Sequence, residues 1–296
     1  MRTEAEIRKL IIGFAAADAR VRAVLLSGSR ADTSVLQDKY QDYDIMFVVT
    51  DIRSFTEDHS WTDFLGEKTV QQLPDTMFPE KHTDRDSHSS FAYLMLFKDM
   101  NRIDLTLADS NFFRDNHSPD ILFVVWLDKD GLCDKQPQSD VRKDLIKIPE
   151  EKEFLDTCNE FWWVSTYVAK GLLRNEITYA KGMLEKTVRP MFMKAVEWKA
   201  GIDNGFTAAF GIEGRHLKKL VPDELYEKIM HTYSGSCIDE NWTALILMAD
   251  IFAELTAGIA ASLNFSMNIP EQEKTRAYLQ MRYEEFRKGT AHARNE

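Results

Sequence analysis

At 296 residues, 44% hydrophobic and 29% charged, the chain is long enough for one large domain or two ordinary ones, each with a proper core. A net charge of −11 argues against nucleic-acid binding, whose affinity comes from clustered Lys and Arg, and suits a cationic small molecule. No membrane span is expected, because apolar runs such as 244–248 fall far short of the ~20 residues a bilayer requires. The charged start Met1-Arg-Thr-Glu does not read as a signal peptide, and the widely spaced Cys133, Cys158 and Cys237 suggest neither a disulfide framework nor a zinc knuckle, so a cytoplasmic setting follows.

Taken in order, Thr3 and Glu6 form a capping box that predicts a helix over 3–19, with Ile7, Leu10, Ile11 and Phe14 on one face. A short β-type run, 21–26, ends in Ser27-Gly-Ser-Arg30. Residues 43–49 read as a buried central strand, apolar on both faces after Asp44. Residues 51–90 are polar and irregular, with one short helix near 60–65. Runs 91–97 and 102–108, joined by Lys98-Asp-Met-Asn101, predict a hairpin, and 121–127 a last strand closed by the turn 128–131.

From Pro149 the patterns turn helical: 150–174, 176–200, 214–232, 240–263 and 271–288, with Gly201, Gly205, Gly211 and Gly214 punctuating the loop before the third. Residues 290–296 read as a frayed tail. The expected architecture is α+β: residues 1–140 form a mixed sheet with flanking helices, and residues 141–296 an all-helical domain.

Strand alternation puts Asp42 and Asp44 on one face and turns Tyr43 away. Two carboxylates so close repel each other unless a cation lies between them, and hard oxygen ligands suit magnesium completed by substrate phosphates. Asp104 alternates with Ile103 and Leu105 and so faces away from the core side chains. If the two strands are neighbours, three carboxylates converge and can hold two metal ions about 4 Å apart, the clamp used in phosphoryl-type displacement. Gly28-Ser29 directly follows a strand, where glycine lets backbone N–H groups approach a phosphate. Each piece alone reads more simply as a turn; the order in which they follow one another carries the signal.

Gly28-Ser29, Asp42-x-Asp44 and Asp104 resemble the signature of the polymerase-β-type nucleotidyltransferases. Within that superfamily, Leu26-Ser-Gly-Ser-Arg-Ala31, Gln41-Asp-Tyr-Asp-Ile45 and the segment Glu160-Phe-Trp-Trp-Val-Ser-Thr-Tyr-Val-Ala-Lys170 are similar to the streptomycin (aminoglycoside 6-) adenylyltransferases, along essentially the whole chain. The resemblance implies a nucleotidyltransferase catalytic domain followed by a helical substrate-binding domain. It also implies Mg2+-dependent transfer of AMP from ATP to a drug hydroxyl. Asp42 and Asp44 would hold metal, Asp104 would hold a second metal or take the hydroxyl proton, and Gly28, Ser29 and Arg30 would take the ATP phosphates.

Trp162 and Trp163 are about 100° apart on a helix, so both cannot point into one core. The plainer reading makes one core and the other interdomain packing. The sharper one makes Trp163, with Glu160 and Tyr167, a lining for guanidinium groups of the drug. Lys170 and Lys181 read either as solvated helix residues or as point charges reaching the ATP phosphates. Asp84, Asp86 and His88 invite a metal reading but read more simply as a mobile loop, and Arg102 reads as a partner for an acid of the site. The Met-rich segment 183–193 reads as helical core. Two alternatives stay open: a nucleotidyltransferase acting on another aminoglycoside or on a protein, and a non-catalytic nucleotide-binding module.

Overall fold

The computed structural model describes residues 1–32, 37–77, 89–116, 122–133 and 145–293. By internal contacts the chain divides into two compact units, Met1–Asp140 and Val141–Glu296.

In the first unit, helix α1 (Glu4–Ala17) begins with the expected capping box, Thr3 and Glu6 satisfying each other's backbone N–H. Its buried face is Ile7, Ile11 and Ala15. Leu10 is exposed instead, because the helix turns its stripe toward Ala15. β1 (Val21–Ser27) runs into a single helical turn, α2 (Gly28–Ala31), and β2 is Tyr43–Val49. A helical turn α3 (Arg53–Thr56) and a 3-10 segment (His59–Leu65) follow. Then come β3 (Lys68–Gln72), β4 (Ser90–Phe97), β5 (Arg102–Asp109), α4 (Ser110–Asn116) and β6 (Val124–Asp128).

The six strands form one mixed sheet in the order β3-β4-β5-β2-β1-β6. β2 and β5 pair in parallel, and the other neighbours are antiparallel. Each face has its own core. Tyr43, Ile45, Phe47 and Val49 pack with α1 and the 3-10 segment, while Val48 packs on the opposite face with Ala23, Leu25, Phe113 and Phe123. Burying each large apolar side chain is worth about 1.5–3 kcal/mol, which fixes the strand faces and therefore where the acids between them point. β3 lies in the stretch read as irregular from the sequence: it is an edge strand, Lys-Thr-Val-Gln-Gln, with no buried residue to mark its period. Asp84, Asp86, His88 and the start of the expected 121–127 strand lie outside the described residues.

The second unit contains α5 (Glu151–Leu173), α6 (Ile177–Met183), α7 (Arg189–Asp203), α8 (Leu217–Leu220), α9 (Asp223–Met230), α10 (Ile238–Leu263) and α11 (Ile269–Ala293). α6 and α7 are joined by a π-helical turn, Leu184–Val188. Pro190, just after it, has no N–H to give to the carbonyl four residues back, and the backbone accommodates this by widening one turn. Pro222 likewise splits the expected helix 214–232 into α8 and α9. Phe161, Trp162, Leu184, Phe192, Trp242 and Phe252 belong to one core, with Met183, Met191 and Met193 packed against it. α10 is long and apolar enough to cross a membrane by composition, but most of it is buried in this core. α11 continues to Ala293, into the segment read as a tail, and residues 294–296 lie outside the described residues.

Candidate active site

The parallel pairing of β2 with β5 places Asp44 directly beside Asp104. In a parallel ladder register partners project to the same side, so both carboxylates lie on one face, and Asp42, two residues before Asp44, joins them. On the other flank, β1 pairs antiparallel with β2 so that Ser27 is the partner of Asp44, and the Ser27 hydroxyl donates to the Asp44 carbonyl at 3.3 Å. The flanking residues Tyr43, Ile45, Ile103 and Leu105 are all buried, which locks the alternation.

Gly28 follows at the end of β1 with φ +67°, in the left-handed region that favours glycine. A Cβ there would lie 1.9 Å from Asp44 Oδ2. The position therefore admits glycine for two separate reasons, backbone conformation and approach to the acid. The Ser29 carbonyl accepts from the side-chain amides of Gln37 and Gln41, both at 3.1 Å, which pins the turn.

Arg30 does something the sequence does not show. Its Nε donates to the Asp42 carbonyl at 3.0 Å, one terminal nitrogen donates to the Gln41 carbonyl at 2.8 Å, and the guanidinium stacks 4.0 Å from the Tyr43 ring centroid. The side chain thus holds the backbone that carries Asp42.

The carboxylates are under electrostatic tension. Burial first, then the charges of Asp104 and Asp42, push the Asp44 carboxyl above its ordinary range, with Arg102 opposing. Asp42 is also raised, chiefly by burial, with the Arg102 charge pulling down and Asp104 pushing up. The main local cation is Arg102, which grips Asp104 with two bonds, Nε to Oδ1 at 2.9 Å and Nη2 to Oδ2 at 2.7 Å. Its third nitrogen lies 3.4 Å from Asp42 Oδ2.

The donor chemistry fits a hard divalent cation: three oxygen-rich acids on one face, two of them held above their usual range by burial and by like charge. Among the described residues no three His, Cys, Asp or Glu side chains are gathered into a ready-made cage. Both oxygens of Asp104 are turned to Arg102 instead.

In the helical unit, Glu160, Trp163, Tyr167 and Lys170 follow one another on α5 at spacings of three and four residues, and so lie in one stripe. All four are exposed, Trp163 at 59% and Tyr167 at 36%, whereas Trp162 is buried against Phe161 and Phe252. The Trp163 indole N–H donates to the Tyr167 hydroxyl at 3.0 Å, and the two rings meet edge to face. This separates the two tryptophans as the 100° argument requires. Lys181, the other lysine considered, is engaged by Glu185 at 3.0 Å and donates to the Ser234 carbonyl at 2.9 Å.

The sequence profile of the streptomycin adenylyltransferase family matches residues 1–282. An aminoglycoside 6-adenylyltransferase of Campylobacter jejuni is 36% identical over 276 residues, which are 92% of this chain and 93% of that protein. One from Bacillus subtilis (strain 168) is 35% identical over 271 residues, 90% of this chain and 93% of its own. A crystal structure of an aminoglycoside 6-adenyltransferase from Bacillus subtilis is 31% identical, covers 96% of this chain and 99% of that one, and superposes with a TM-score of 0.46.

Proposed function

The chain belongs to the streptomycin adenylyltransferase family, and from that premise we propose that it transfers AMP from ATP to a hydroxyl of streptomycin, with release of pyrophosphate. The observation that carries the chemistry is the in-register pairing of Asp44 with Asp104, with Asp42 alongside and Gly28 against the Asp44 carboxylate. Residues 1–140 then act as the catalytic domain and 141–296 as the substrate-binding domain. The same family membership supports ATP as co-substrate, and cysteines that form no disulfide suit a cytoplasmic setting.

In this reading the Gly28-Ser29 turn takes the ATP phosphates through its backbone N–H groups, and Lys170 adds a point charge toward them. Asp42, Asp44 and Asp104 would hold Mg2+, which would neutralise the triphosphate and polarise the phosphoryl oxygens. Arg30 keeps Asp42 in place through its backbone carbonyl. A carboxylate oxygen of Asp104 accepts the proton of the drug hydroxyl as the hydroxyl oxygen bonds to the α-phosphorus and the bond to pyrophosphate breaks. Glu160 pairs with a cationic group of the drug, and Trp163 and Tyr167 offer aromatic faces to its guanidinium groups. Most of the acceleration comes from positioning and charge neutralisation.

Mass spectrometry of streptomycin incubated with the protein, ATP and Mg2+ tests this directly. The expected product is heavier by one adenylyl group and appears with equimolar pyrophosphate. Pyrophosphate release no faster than without acceptor would remove streptomycin as the substrate, and a different mass gain would remove the reaction.

A further inference from the structure

Arg102 is half exposed, with 47% of its side chain accessible, yet it is committed at three points to the acids of the site: both oxygens of Asp104 and one of Asp42. Its position follows from the strand. Residues 102 and 104 are two apart on β5 and project to the same face, so a long side chain at 102 reaches back over the carboxylate at 104. The same alternation could have placed any residue there, and most polar side chains would have left the three acids without a cation.

We propose that Arg102 is a built-in counter-cation that occupies the metal-binding face of the acids and must be displaced for the metal to enter. The inference rests on the assignment of Asp42, Asp44 and Asp104 as metal ligands given above. A planar guanidinium matches a carboxylate with two parallel bonds, so it satisfies both Asp104 oxygens at once and turns them away from any ion. It also delivers a positive charge where the acids repel one another, and this is the position a divalent ion would use to best effect. The two cannot share that face without placing like charges a few ångströms apart, which is costly where the site is partly buried. Two features make Arg102 exchangeable rather than structural. Its exposure lets the freed guanidinium return to water, and among the described residues its partners are carboxylates, whereas Arg30 is tied to two backbone carbonyls.

Displacement by a divalent ion arriving with ATP is the useful case. The ion then brings a larger charge, and the nucleotide's phosphates offer the released arginine a new anionic partner. Bare metal would compete less well, so the site would be held against metal without nucleotide.

The test is direct metal binding in nucleotide-free protein, with no acceptor present. Mn2+ is titrated in, and the free ion is read from its electron paramagnetic resonance signal, for the unmodified protein, R102Q and R102K. R102Q should bind Mn2+ about tenfold more tightly or better, R102K should recover part of the competition, and Asp44→Asn in the unmodified background should remove the site. Equal or weaker Mn2+ binding by R102Q overturns the proposal while leaving the metal assignment intact. Absence of Mn2+ binding in both proteins, without nucleotide and again with a non-hydrolysable ATP analogue, removes the metal assignment and the proposal together. A measurement without any variant guards against misfolding. The assigned Nε–H resonance of Arg102 should move toward that of a free, rapidly exchanging arginine as Mg2+ is added. A resonance that stays in place at saturating Mg2+ equally overturns the proposal.

Discussion

Arg189 in the helical unit and Arg102 at the end of the sheet both sit against carboxylates, and their surroundings differ in every respect that matters. Arg189 is buried, with 8% of its side chain exposed; it is paired with Glu185, donates to the hydroxyl and the carbonyl of Thr232, each at 2.9 Å, and stacks 3.8 Å from the Tyr233 ring centroid. Burial would raise the Glu185 carboxyl, but hydrogen bonds from Arg189 and Lys181 outweigh that and hold it below its ordinary range. There the acid is content to be ionised. At the sheet end, the acids around Arg102 include two that are held above their ordinary range. The contrast teaches that an arginine–acid cluster whose acid is fully met by cations reads as a structural tie, and one with surplus negative charge as a site waiting for something cationic.

The largest expected effect breaks the comparison on its functional side. Asp44→Asn should lower turnover at least 10^3-fold, followed as pyrophosphate release, because it removes a proposed metal ligand and its charge. It should leave the fold as stable at pH 7, or raise it by up to about 1 kcal/mol. The sign follows from the raised carboxyl: the folded state disfavours its ionised form, so above the unfolded-state value the charge costs stability, and acid relieves it. A marked fall in melting temperature for Asp44→Asn would mean that the acids are structural after all.

Arg189→Met probes the other side. It should cost about 1–3 kcal/mol in urea unfolding, since it leaves the buried Thr232 hydroxyl and carbonyl without their donor while Glu185 keeps Lys181, and turnover per folded molecule should stay near that of the unmodified protein. Loss of turnover matching that of Asp44→Asn would move this cluster into the catalytic machinery. Gly28→Ala sharpens the comparison further. The new methyl meets the Asp44 carboxylate and the backbone is strained at φ +67°, so turnover should fall about 100-fold with a stability loss of about 1–2 kcal/mol. An active Gly28→Ala protein would show that the close approach to Asp44 is dispensable.

Much of the site was legible because strands alternate with period two. Tyr43-Asp-Ile and Ile103-Asp-Leu each reveal which way the acid points, since the apolar neighbours on either side must be buried. What no local pattern contains is that these strands, some sixty residues apart, lie parallel and in register, with Asp44 beside Asp104. That is fixed by the whole sheet order, and from the sequence it could be posed only as a condition. Polar ties are equally opaque: Arg30 sits next to the Gly28-Ser29 turn in sequence, but its length lets it fold back onto the Asp42 backbone. β3 escaped because an edge strand of polar residues has no buried face to set a period, and the π turn because it answers to one proline in an otherwise regular helix.

The smallest effect concerns the exposed stripe on α5 and tests whether surplus recognition groups there are used at all. Trp163 contributes little to its own unit's core: more than half of it is accessible, and its indole N–H is satisfied by Tyr167 on the same helix. A large apolar ring kept at the surface, with a hydroxyl and a carboxylate beside it, makes physical sense if a guanidinium-bearing ligand covers it. Trp163→Ala should therefore leave the melting temperature within a degree or two, raise the KM for streptomycin about tenfold and leave kcat and the KM for ATP nearly unchanged. Tyr167→Phe, which keeps the ring and removes only the hydroxyl that orients Trp163, should move the same constant by two- to threefold. A fall in kcat without a change in the streptomycin KM would place the stripe elsewhere in the cycle. No change in either constant would make it plain surface, and the drug would then be recognised by residues other than these.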